Sequence, residues 1–188
     1  MFTEYSMLEP RGLAPYFGFT GEEVLEVCRK HGVDHGEREE WYDGYKMVYS
    51  KASNFGFEEV VCSIYSPKSV VESLLTRRCA PYWVNTETYE ALKLYIQMDF
   101  NGLREDVVAM LAGTKVPLNT RTFSNDMASF TSKDDVLTLL VHLGYLSFDV
   151  EGRTVPIPNK EVSEEFANTI EALHWDGVAD ALKNHSSC

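Results

Sequence analysis

Apolar residues recur every three or four positions in some stretches of this chain and give way to aromatic and β-branched runs in others. From Thr20 the spacing is helical, gathering Val24, Leu25, Val27 and Cys28 on one face. Thr20 and Glu23 stand where hydroxyl and carboxylate satisfy each other's backbone N–H groups, and Gly32 supplies the stop. Asp34 and Glu37 repeat that spacing. They predict a short helix through Glu40 into Trp41 and Tyr42, with Gly44 as the left-handed residue after its last turn.

From Tyr45 the pattern changes. Tyr45–Tyr49 and Glu59–Tyr65 are rich in aromatic and β-branched residues, and Ser50–Gly56 between them hold Ser, Asn and Gly, which predicts a β-hairpin. Ser66-Pro67 then opens a helix with Val70, Val71, Leu74 and Leu75 as its buried stripe. After a break at Arg77–Pro81, Asn85 or Thr86 caps a helix through Met98 that carries Leu92, Tyr95 and Ile96. Leu103–Ala112 form another helix, closed by Gly113, and Val116–Leu118 a short strand, before a polar loop from Asn119 to Thr131.

Ser132 and Asp135 start a helix with Val136, Leu139, Leu140 and Leu143 on its face. Tyr145–Val150 and Arg153–Ile157 alternate as strands about the turn Glu151-Gly152. Asn159 caps the last long helix, with Val162, Phe166, Ile170 and Leu173 inward, and a shorter helical piece follows Gly177. The fold class is α+β and mostly helical. Helices followed by a hairpin between Thr86 and Ile157 give the order of a winged-helix domain. Residues Met1–Phe19 read as an irregular, aromatic lead-in that looks torn from a preceding element.

Composition narrows the function. The 188 residues suffice for one ordinary domain or two small ones, and a net charge of −12 disfavours non-specific binding to nucleic acid or anionic membranes. No apolar run reaches membrane-spanning length, and Glu4, Glu9 and Pro10 do not make a signal peptide. Cys28, Cys62, Cys79 and Cys188 form no C-x-x-C pair, so free thiols in the cytoplasm are expected.

No complete set of catalytic residues emerges. A phosphate-cradling loop needs glycines ahead of its lysine, and Lys68-Ser69 instead follow Pro67; no G-x-G-x-x-G is present. His31 and His35 are split by Gly32 and read as solvated, His142 as a helix-end cation, and Glu37, Glu39 and Glu40 as a solvated acidic face. Cys28 and Cys62 read as core residues, and neither G-x-S-x-G nor the Asp/Glu-x-Lys of metal-dependent nucleases occurs. Catalytic, cofactor and metal residues are therefore all expected to be absent. Asp43, between Tyr42 and Tyr45, is expected to accept backbone N–H bonds while the rings pack inward. The corner Trp41-Tyr42-Asp43-Gly44-Tyr45 thus reads as a structural hinge in which Gly44 ends a helix and the aromatics anchor the hairpin.

Several motifs, in order, resemble the predicted AAA-ATPase-like proteins of gut anaerobes. They are Phe17–Thr20 with Glu22-Glu23-Val24, then Trp41–Tyr45, Ile64–Val70, Pro81-Tyr82-Trp83-Val84-Asn85-Thr86, Leu143–Leu146, and Ile157-Pro158-Asn159-Lys160-Glu161-Val162. Ser66 and Lys68 stand where that family has Asn and Trp, and the segment Ser50–Phe57 is longer than its counterpart. In such proteins these motifs follow a nucleotide-binding core and precede a PD-(D/E)XK-type nuclease domain. The resemblance implies a helical lid-like region with a β-hairpin over residues 1–80 and a winged-helix-like region over 81–188, a portion of a larger protein. It implies Trp41, Tyr42, Asp43, Gly44, Tyr45, Tyr82, Trp83, Asn85, Pro158 and Asn159 as its structural motif. The expected role is non-catalytic coupling of the ATPase core to the nuclease-like effector, with those domains or another protein as partner, and with self-association through the lead-in. Two alternatives stand beside it. One is a winged-helix nucleic-acid binder, opposed by Asp134 and Asp135 at the start of its third helix despite Lys133 and Arg153; the other is a protein-interaction adaptor docking through Tyr82-Trp83.

Overall fold

The computed structural model describes residues 8, 10–53, 56–83, 88–97, 100, 102–120 and 130–173. It is a mostly helical α+β structure with small antiparallel sheets. The chain divides into two units, Met1–Trp83 joined by Pro158–Glu161, and Val84–Ile157 with Val162–Cys188. Among the described residues no helix is long and apolar enough to cross a membrane.

In the first unit a short 3-10 helix, Arg11–Tyr16, leads into β1 (Phe19–Thr20), α1 (Gly21–His31) and α2 (His35–Tyr42). The hairpin of β2 (Tyr45–Ser53) and β3 (Gly56–Tyr65) follows, then α3 (Pro67–Thr76). The strands form one antiparallel sheet in the order β1-β3-β2, with Phe19 opposite Tyr65 and Tyr45 opposite Ile64. The described part of the lead-in is thus more ordered than the sequence suggests. Ala14 is buried against Met47 and Ile64, and β1 supplies a strand.

Thr20 caps α1 as the spacing predicts. Its hydroxyl accepts from the Glu23 N–H at 3.3 Å, and the Glu23 carboxylate accepts from the Thr20 N–H at 2.8 Å. Gly32, at φ 62°, takes the left-handed stop. Only half of the second box forms. Asp34 accepts from the Glu37 N–H, but the Glu37 carboxylate turns to Arg38 at 2.8 Å. The hairpin runs further than its apolar residues do, since Ser50–Ser53 and Gly56–Phe57 join the ladder, whose bonds are made by backbone and need no apolar side chain.

The core of this unit gathers Val24, Cys28, Tyr42, Tyr65 and Val70, with Phe19, Val27, Trp41, Leu74, Cys79 and Tyr82 packed around them. The buried stripe of α3 is shifted from the predicted one. Ser69, Val70 and Ser73 are buried, whereas Leu75 is 74% exposed and Val71 42% exposed. The small serines are drawn inward because each hydroxyl has an acceptor there: Ser73 donates to the Val70 carbonyl and Ser69 to Glu161, both at 2.8 Å.

The second unit holds α4 (Thr88–Gln97), α5 (Leu103–Leu111), β4 (Val116–Pro117), α6 (Lys133–His142), β5 (Thr154–Val155) and most of α7 (Lys160–Ala172). Asn85, Thr86, the side chain of Leu92, most of the predicted loop and the helical piece after Gly177 lie outside the described residues. Helix α6 is buried from Asp135 through Val141, a core helix rather than a one-faced one. The predicted second hairpin forms in part, its arms pairing antiparallel from Ser147 to Asp149 and from Thr154 to Pro156. Strand β5 pairs with β4, placing Val155 opposite Val116, and the partner segment reaches it through the Asp149–Thr154 bridge and a Ser147 N–H to Pro156 carbonyl bond of 3.1 Å. Tyr145 and Leu146 are instead buried, with the Tyr145 ring edge-on to Phe166. At the tip, Arg153 rather than Gly152 takes the left-handed conformation, because the Asp149 carboxylate accepts the Gly152 N–H at 3.1 Å and shapes the turn.

The shifted stripe is testable by urea denaturation. Val70→Ala is expected to cost about 2 kcal/mol, and Leu75→Ala to stay within about 0.5 kcal/mol of the parent. A larger loss at Leu75 than at Val70 refutes this packing.

Candidate functional site

The Trp41–Tyr45 corner meets a segment more than a hundred residues further along the chain. Helix α2 ends at Tyr42, and Asp43 is extended at φ −73° and ψ 160°. Gly44 sits at φ 136°, outside the helical left-handed region, so its expected role as a helix stop is corrected. Its reason lies across the fold: a Cβ there would fall 1.7 Å from the Pro158 carbonyl oxygen. No side chain fits that gap.

Around this contact the flanking residues bind. The Asn159 amide nitrogen donates to the Tyr42 carbonyl at 3.2 Å. Lys160 pairs with Glu40 at 3.1 Å and stands 4.7 Å from the centre of the Trp41 ring, a cation–π geometry. Tyr42 is buried, and its hydroxyl donates to the Ala80 carbonyl and accepts from the Ala80 N–H, each at 3.0 Å. Burial pushes the Tyr42 phenol well above its ordinary pKa. The role expected of Asp43 is corrected too. Its carboxylate takes the Lys46 ammonium at 2.7 Å rather than backbone N–H groups, and Lys46 also meets the Ser63 hydroxyl. Lysine wins here because its long side chain sweeps the pair together three residues apart at the base of β2.

Glu161, in the first turn of α7, closes the arrangement. It is 2% exposed, and its two oxygens accept from the Ser69 hydroxyl at 2.8 Å and the Trp83 N–H at 2.7 Å. Burial raises its pKa above the usual 4.5, and the bonds from Trp83, Ser69 and Tyr82, with the charge of Lys68, only partly offset that. Tyr82 and Trp83 are half-buried, and the Tyr82 hydroxyl meets Thr76 at 2.6 Å. They are therefore not the exposed docking aromatics that the adaptor reading required. Arg38 is buried nearby, giving one nitrogen to the Asp34 carbonyl at 3.0 Å and another to the Ser73 carbonyl at 3.1 Å.

The structure thus joins Trp41, Tyr42, Gly44, Trp83, Pro158 and Asn159 in one cluster; Tyr45 faces the sheet core of Met47 and Ile64 instead. Sequence reasoning missed Arg38, Ser69 and Glu161. Their one signal is position, a charge or hydroxyl where the helical period calls for an inward residue. Ser69 beside Glu161 has the residue types of a nucleophile and a base, but both are closed to solvent, so the pair acts as a clasp.

The other candidates stay apart. His31 is exposed, His35 lies 3.9 Å from Glu39, and the His142 ring nitrogen meets the Thr138 carbonyl at 2.8 Å. Cys28, Cys62 and Cys79 are free, and burial raises the pKa of all three. Among the described residues no three His, Cys, Asp or Glu cluster for a metal ion. In the second unit an open groove of 590 Å³ is lined by Pro117, Leu118, Lys133, Asp134 and Arg153. Lys133 is tied to Asp106 at 2.6 Å, so the groove has mixed charge. In comparisons with known proteins, no family model, curated protein or solved structure matches this chain.

Two expectations follow from the cluster. Gly44→Ala must push Pro158 away and take a conformation that side chains avoid, so it should lower stability by several kcal/mol, on the order of 3 or more; an unchanged melting temperature refutes the contact. Glu161, with its folded pKa above 4.5, binds its proton more tightly in the folded chain, so its contribution falls as pH rises through 4.5 toward the raised value. Buried Glu165 acts in the same sense, while Asp149, held low by Lys115 and the Gly152 N–H, loses its contribution as pH falls below 3.8. Glu161→Gln should therefore flatten the decline in stability above pH 4.5 without abolishing it. An identical slope in parent and variant contradicts the assignment.

Proposed function

We propose that this chain is the non-catalytic, lid-like and winged-helix-like portion of a cytoplasmic AAA-ATPase-like protein, coupling a nucleotide-binding core to an effector domain. What supports the reading is convergence. The motifs of the resemblance meet one another at specific contacts: Gly44 lies against Pro158, Asn159 donates to the Tyr42 carbonyl, and Ser69 and Trp83 donate to Glu161, with Tyr42, Ser69 and Glu161 buried. Residues that recur together and bind each other rather than a cleft are what a shared fold requires; a shared substrate would leave them facing solvent. Nucleotide chemistry belongs to the core, since this sequence carries no phosphate loop.

The nucleic-acid alternative has weaker support. Of the two cations it needs, Lys133 is held by Asp106, and Asp134 lines the same groove. The adaptor alternative keeps one physical basis, the exposed outer half of the hairpin.

Calorimetric titration of this chain with Mg-ATP should give no binding heat, and a micromolar dissociation constant would sink the proposal. The positive half is read from the source DNA. An in-frame glycine-rich phosphate loop upstream of the Met1 codon is expected, and an in-frame stop codon immediately upstream contradicts it.

A further inference from the structure

Beyond the base of the first sheet, the β2–β3 hairpin continues as a two-stranded ribbon. Residues Ser50–Ser53 of β2 and Gly56–Glu59 of β3 are exposed on both faces. Isolated two-stranded ribbons are marginal in water, and a third strand or a packed face steadies them. Phe57 is 84% exposed and Val61 62% exposed; with Ala52 and Val48, their cross-strand partners, they share one face. Strand β1 covers the outer edge of β3 only at Ile64 and Tyr65, so among the described residues no strand pairs with that edge from Gly56 to Val61.

The charges on this edge choose its partner. Glu58 and Glu59 are adjacent, so they point to opposite faces, and each meets any added strand on its own side. Within the hairpin Glu58 lies opposite Lys51, but Glu59 lies opposite Ser50. Two copies pairing through their β3 edges about a two-fold axis would set acids against acids, and a net charge of −12 on each chain opposes that approach. A strand with cations opposite Glu59 and Glu58, and aliphatic residues opposite Phe57 and Val61, has neither difficulty.

We propose that the outer half of β3 is an edge-docking arm for an extended basic–aliphatic segment of another protein, added antiparallel along Gly56–Val61. Backbone bonds would supply the attachment and the alternating faces the selectivity, as in β-augmentation generally. This surface is independent of the buried cluster and of the AAA-ATPase-like reading.

The test uses fluorescence anisotropy with two short labelled peptides, one with adjacent lysines flanked by valines, the other with glutamates in place of the lysines. The parent chain should bind the lysine peptide saturably and the glutamate peptide at least about tenfold more weakly, the effect of two cross-strand charge pairs. Glu59→Lys, at an exposed position opposite Ser50, should reduce that preference severalfold while leaving the thermal melt unchanged. Phe57→Ser, which keeps the charge, should weaken binding severalfold and so separates strand docking from mere attraction to an acidic protein. Equal affinity for both peptides, no binding of either, or indifference to Phe57→Ser overturns the proposal. So does light scattering that shows the parent chain dimerising through this arm, with Phe57→Ser restoring the monomer.

Discussion

The closest constraint in the first unit is a backbone contact that admits no side chain. Gly44 and the carbonyl of Pro158 approach so nearly that a single added carbon would overlap the oxygen. Glycine is usually explained by the conformation it permits, and at φ 136° that explanation applies too. Here, however, the space is as restrictive as the angle. The approach lets Asn159 reach the Tyr42 carbonyl and lets Lys160 lie over Trp41, so one missing side chain positions three later residues.

What seats the far segment is polar as well as steric. Burying a carboxylate is costly, and Glu161 is tolerated because both of its oxygens receive hydrogen bonds, from Ser69 and Trp83. Those donors come from the first turn of α3 and from the chain after it, so one residue ties the start of α7 to both. Arg38 does similar work between α2 and α3 through backbone carbonyls. Such networks contribute little net stability but penalise every arrangement that leaves a member unpaired, and that favours a single packing.

Local rules made much of this legible in the sequence. Thr20 with Glu23, Ser132 with Asp135, and Ser66 before Pro67 placed three helix starts, because a cap depends on residues only a few positions apart. Features decided by distant partners were not legible. Leu74 and Leu75 are equivalent by hydrophobicity, yet only contact with the core decides that Leu75 faces out. The local sequence predicts a helix stop at Gly44, because nothing near it in the chain signals the approach of Pro158. The burial of Glu161 depends on Ser69 and Trp83, which are distant in sequence. The second hairpin forms about its expected turn, but the pairing of β5 with β4 on its other edge was not legible, because β4 lies far from it in sequence.

The functional account divides accordingly. Tyr42, Ser69 and Glu161 are buried and hold the first unit together, while the outer half of the hairpin is exposed. The central claim is that Glu161 is a clasp rather than an incidental buried acid, and a double-mutant cycle of Ser69→Ala with Glu161→Gln by urea denaturation tests it most directly. The account predicts that the two losses fall short of additivity by about 1 kcal/mol or more, as for groups that bind each other. Strictly additive losses would show that Ser69 and Glu161 do not share a bond and would contradict the clasp.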